Sequence, residues 1–104
     1  MAYFPVSTIG FTSVAKTSSF TASDGSHYLY LMSTNDMTVT LPASPADGSV
    51  RKFKMLTATK TATFAFNGAE TIYHATGEND QLLTLTYDQG VIELVAITAG
   101  WLET

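Results

Sequence analysis

Cysteine is absent from the 104 residues, which excludes a disulfide framework, thiolate metal sites and a cysteine nucleophile. Charge is scarce as well: 13% of the residues are Asp, Glu, Lys or Arg, against about 25% in an average domain. Ionic groups therefore cannot wet most of the surface. Seventeen Thr and nine Ser, a quarter of the chain, supply hydroxyls in their place. Five basic and nine acidic residues leave a net charge of -4, which argues against nucleic acid or an anionic membrane as a partner. No apolar run approaches the roughly 18 residues of a spanning helix. Pro5 and Gly10 break the N-terminal apolar stretch before it makes a signal-peptide core. The length is that of one domain with a thin core, which a partner could complete.

What is present is β-strand chemistry. Short β-branched and aromatic runs are separated by Asp24-Gly25, Asn35-Asp36, Asp47-Gly48, Asn67-Gly68 and Gly90, the punctuation of an all-β sandwich or barrel. Residues 37–41 alternate, with Met37, Val39 and Leu41 on one face and Thr38 and Thr40 on the other. Phe53 and Met55 share a face opposite Lys52 and Lys54, and Ala62, Phe64 and Phe66 share one opposite Thr61 and Thr63. Leu83, Leu85 and Tyr87 alternate with Thr84 and Thr86. Asn67-Gly68 is the strongest short hairpin signal and pairs 61–66 with 69–75. The expected fold is a small antiparallel β-sandwich, jelly-roll-like, over residues 17–104, with residues 1–16 an extended arm.

Two runs are apolar on both faces: HYLYLMS, with Tyr28, Tyr30 and Met32 opposite Leu29 and Leu31, and VIELVAIT around Glu93. A strand covered on both faces lies inside a sandwich or against another chain. In so small a domain the subunit contact is preferred, through Tyr28, Leu29, Tyr30, Leu31 and Glu93. In the arm, Tyr3, Phe4, Val6, Ile9 and Phe11 follow no regular period, so they are expected to lie extended across a partner. The alternative is an arm folded back over its own domain.

Chemistry finds little support. His27 and His74 are far apart with no HxxxH or HExxH spacing, so neither reads as a zinc ligand. Asp24, Ser26 and His27 carry the letters of a hydrolase triad, but neighbours in one turn point apart. Asp24, Asp36, Asp47, Asp80 and Asp88 fall in predicted turns, where the side chain bonds its own backbone. Glu78-Asn79-Asp80 lacks the spacing of a calcium loop. No glycine pattern cradles a nucleotide. The basic group Arg51, Lys52 and Lys54 reads as a solvated strand face, and Glu93 needs a cationic partner, for which Arg51 and Lys60 are candidates. No catalytic residue, metal, cofactor or small-molecule substrate is assigned. A small polysaccharide hydrolase working through two carboxylates is the enzymatic alternative.

The order of these motifs resembles a small β-module of tailed-bacteriophage virion proteins, found in tail fibres and tail spikes. The likeness runs over residues 19–104. It rests on Thr38-Val39-Thr40-Leu41-Pro42, Gly48, Gly68 before Thr71-Ile72, Leu85, Gly90-Val91, Leu94-Val95 and the closing Gly100-Trp101. Membership implies a non-enzymatic structural role at the virion surface and association as a homotrimer. The family usually sits inside long fibre chains, whereas this sequence starts at Met with a short apolar arm. It is therefore closer to a free-standing capsid decoration, or cement, protein that binds the major capsid protein or another virion protein. The alternative is a tail-fibre or tail-spike module that recognises host glycans, with Tyr73 and Tyr87 stacking on sugar rings.

Overall fold

The computed structural model describes residues 10–23, 26–43, 47–66, 70–74, 77, 79–98 and 100–104. The strands are β1 (Thr12–Lys16), β2 (Phe20–Thr21), β3 (Tyr28–Met32), β4 (Met37–Thr40), β5 (Val50–Met55) and β6 (Thr61–Ala65). They continue as β7 (Thr71–Tyr73), β8 (Asn79–Asp80), β9 (Thr84–Thr86), β10 (Ile92–Ile97) and β11 (Gly100–Glu103). A 3-10 turn, Tyr87–Gln89, joins β9 to β10. Two sheets pack face to face: seven strands in the order β1-β3-β5-β10-β11-β7-β8 and four in the order β2-β4-β6-β9. The all-β sandwich expected of the sequence is the architecture found.

The pairing inside it differs from the antiparallel, jelly-roll-like expectation. Among the described residues five of the nine ladders are parallel. Consecutive strands pass from one sheet to the other, so β1, β3 and β5 pair in one layer and β2, β4 and β6 in the other. The chain coils for its first six strands. Parallel neighbours need a crossover, and here the strand of the opposite sheet provides it. A short turn can fold a strand back on itself or carry it round a corner, and turn residues look alike in the two cases. His27 and Thr34 take positive φ, 68° and 81°, at two such corners, conformations a sequence does not advertise for non-glycine residues. Thus β6 pairs with β4 and β9 rather than with β7, while the Asn67-Gly68 turn itself lies outside the described residues.

Alternation along the strands sets the core. Val14, Tyr30 and Phe53 occupy one row across β1, β3 and β5, facing Phe20, Val39 and Phe64 across β2, β4 and β6. The rings form a continuous column: Tyr30 lies 5.1 Å from Phe20 and 5.1 Å from Phe53, and Phe53 meets Phe64 edge-on at 4.9 Å. Each such pair is worth about 0.5–1.5 kcal/mol beyond the area it buries. The antiparallel strands β9 and β10 close the coil on its far side, against β6 and β5 respectively. Leu85, Leu94 and Trp101 are fully enclosed there.

Several expectations shift in detail. Residues 12–16, assigned to the arm, form the edge strand β1 in parallel with β3. Asp80, expected in a turn, belongs to β8. Tyr87 leaves the face of Leu83 and Leu85, because the strand gives way to the 3-10 turn, and it is exposed.

Candidate functional site

Three surfaces carry groups that the fold does not use up. The first is the outer face of the larger sheet. Leu29, Leu31, Lys52, Lys54, Glu93, Val95 and Ile97 are all half-buried on it, and Val91 and Leu102 are exposed. Strand alternation places them there, because their neighbours Tyr30, Met32, Arg51, Phe53, Leu94 and Ala96 face inward and are buried. Of the five residues assigned to a subunit contact, Leu29, Leu31 and Glu93 lie on this outer face. Tyr28 packs against the edge of the core. Tyr30 is a correction: it is fully buried inside the sandwich, stacked on Phe53, and touches no outer surface. The opposite sheet covers its side of β3, so a second chain is not needed there.

Glu93 is answered differently from the expectation. In the antiparallel register it lies opposite Lys52, while Arg51 lies opposite Leu94 on the inner face. The Thr104 hydroxyl also donates to Glu93 Oε1 at 2.6 Å. Arg51, expected on a solvated face, is only 4% exposed. Its Nε donates to the Ala22 carbonyl and its NH1 group to Ser49 Oγ, both at 3.0 Å. It is a structural tie.

The arm enters on this same face. Tyr3, Phe4, Val6 and Ile9 lie outside the described residues. Phe11 is half-buried, edge-on to His27 at 5.2 Å, with Lys52 Nζ 4.3 Å from its ring centre. At this residue, the chain lies on its own domain.

The second surface is the outer face of the smaller sheet, which is almost wholly hydroxylic. Thr38, Thr63 and Thr84 form one row across β4, β6 and β9, and Thr61 pairs with Thr86 in the next. A shallow depression of about 440 Å³ is lined by Ser19, Asp36, Met37, Thr38, Thr61 and Thr63. Two of its side chains accept backbone bonds, Ser19 Oγ from Thr38 N and Asp36 Oδ1 from Thr61 N, at 2.9 and 2.8 Å. Repeated Thr-x-Thr, at 38–40, 61–63 and 84–86, is the sequence signal for this stacking.

The third surface is the outer edge of β1, which no strand among the described residues pairs with and where Ser13 and Ala15 are exposed at the end of the seven-stranded sheet. The sequence hides it, because the residues before Thr17 read as irregular.

The histidines stay apart. His74 Nδ1 lies 3.1 Å from Glu103 Oε1 at the end of β11, and His27 lies against Phe11. Among the described residues no group of three or more His, Asp or Glu is placed to hold a metal ion. Tyr73 lies on β7 and Tyr87 in the 3-10 turn after β9, and Lys54 Nζ covers the Tyr87 ring at 4.7 Å. Comparison with known proteins brings no relative: no family model, no curated protein and no solved structure matches the chain.

Proposed function

We propose that the chain is a non-enzymatic structural component of a tailed-phage particle, a decoration protein that adheres through the outer face of its larger sheet and its apolar N-terminal arm. One observation carries the reading. Leu29, Leu31, Val91, Val95 and Leu102 crowd an outer face that, among the described residues, the sandwich does not close over, and Phe11, the last aromatic of the arm, lies on that same face beside Lys52. Burying such a surface returns about 25 cal/mol per Å² before ordering costs are subtracted. Many copies on one lattice then hold one another by effective concentration. The order of strand and turn motifs that resembles virion β-modules supports the same role, with self-association, as a trimer in that family, as part of it.

The coiled parallel start of the chain favours a second reading, a tail-fibre or tail-spike module, because a coil of this kind lengthens by adding turns. Immunogold labelling of virions purified from a phage that encodes the chain tests both. Label on heads is the expected result, and label confined to tail tips replaces the first reading with the second. Particles that carry none of the protein overturn both.

A further inference from the structure

Among the described residues the outer edge of β1 is a pairing strand whose donors and acceptors no other strand takes up. Thr12 N donates to the His27 carbonyl and Ser33 N to the Lys16 carbonyl. With the register Thr12 to Tyr28 and Lys16 to Met32, these bonds fix the alternation of a parallel ladder: Thr12, Val14 and Lys16 turn their N–H and C=O groups towards β3. Ser13 and Ala15 turn theirs the other way, and both residues are exposed. A row of unpaired backbone groups is a template for another strand. Of the devices that usually blunt such an edge, Thr12–Lys16 contains no proline and carries a single charge, Lys16, at its end. That ammonium lies 5.1 Å over the Phe20 ring. Val14 and Phe20, the core-facing residues of the same end, are only half-buried.

We infer that β1 pairs with β1 of a second copy of this chain, antiparallel across a two-fold axis through Val14, making one continuous sheet from the two seven-stranded sheets. The strand is suited to its own reverse. Ser13 falls opposite the second copy's Ala15 as a hydrogen-bonded pair, and both side chains are too small to crowd the new ladder. Lys16 falls opposite Thr12, so no like charges face each other, which would destabilise the pair. The antiparallel ladder is also the stronger of the two types per residue. Val14 meets its own equivalent and loses the exposure it has in one copy. This inference does not rest on the virion reading, since it concerns the chain in solution.

Sedimentation equilibrium over a concentration series, with the full chain, tests it. The expected result is a shift from 11.2 kDa to twice that mass as concentration rises. Ala15→Pro removes an N–H that β3 does not use, and proline is tolerated on an edge strand. It should weaken association at least tenfold while leaving the circular dichroism spectrum and urea midpoint of the monomer unchanged. Amide exchange on the wild-type chain gives a readout independent of any variant: Ser13 and Ala15 should gain protection with concentration while Val14 stays constant. A chain monomeric throughout, an assembly whose mass Ala15→Pro leaves unchanged, or Ser13 and Ala15 amides already protected in the monomer would each overturn the pairing.

Discussion

The Arg51 guanidinium sits 5.4 Å from the ring centre of Trp101, the largest fully buried side chain of the domain. It reaches the Ala22 carbonyl just after β2 and Ser49 Oγ just before β5, so one side chain ties a corner of the coil to the sheet beside it. Removing it strands buried acceptors and exposes an indole face. Arg51→Ala should lower unfolding free energy by about 2–4 kcal/mol, as urea denaturation would record. Arg51→Lys should recover less than half of the loss, because an ammonium is a point donor and lacks the planar fork that reaches both oxygens.

Tyr30 and Leu31 are neighbours on β3 with opposite fates. Tyr30 is enclosed between Phe20 and Phe53, whereas Leu31 faces outward beside Lys54. Tyr30→Ala should cost about 3–5 kcal/mol of stability, as for other large aromatics removed from a core. Leu31→Ala should cost less than about 1 kcal/mol in the monomer. On the decoration reading proposed above, Leu31→Lys should reduce attachment to phage particles in a pelleting assay while the urea midpoint stays in place. Equal destabilisation by both alanine variants would show that the outer face is packed within one chain.

Alternation made the buried faces legible. Met37 and Val39, Phe53 and Met55, and Ala62 and Phe64 are all buried, because period-two burial is a local property of one strand. Pairing was not legible, since it depends on whether a turn reverses the chain or carries it across the sandwich. Residues 33–36 show the difficulty. Asn35-Asp36 is ordinary turn chemistry, yet Thr34 at φ 81° aims the chain into the other sheet. The strand within the arm was hidden for a related reason: Thr12–Lys16 becomes a strand because β3 offers a ladder, although its own pattern is weak. Outward Leu29 and Leu31 were visible in the sequence, but the two-sided apolar pattern could not say that Tyr30 is satisfied within the chain.

Asp36 closes that same corner by accepting the Thr61 backbone N–H at 2.8 Å. The bond holds the start of β6 beside the entry to β4. Asp36→Ala leaves this donor to water and should cost about 1 kcal/mol, with faster exchange at the Thr61 amide. Asp36→Asn keeps an amide oxygen in the accepting position and should stay within about 0.5 kcal/mol of the parent. Losses of equal size in the two variants would mean that the negative charge, rather than the acceptor, matters at this corner.

Gly100 opens β11 at φ 153°, beside Thr71 of β7 in parallel register. A Cβ placed on it would stand 2.0 Å from the Thr71 carbonyl oxygen and 2.7 Å from its nitrogen, inside any contact distance and against backbone that cannot rotate away. The only relief is to part β7 from β11, which withdraws Ile72 and Trp101, both fully buried, from the closing end of the sandwich. Gly100→Ala should therefore cost at least about 3 kcal/mol, beyond the ordinary range of single substitutions, or prevent folding of the domain. Thermal melting compared with Gly48→Ala separates geometry from glycine content. Gly48 also has positive φ, 83°, but nothing within 4 Å of its Cβ position, so that variant should lose only about 1–2 kcal/mol.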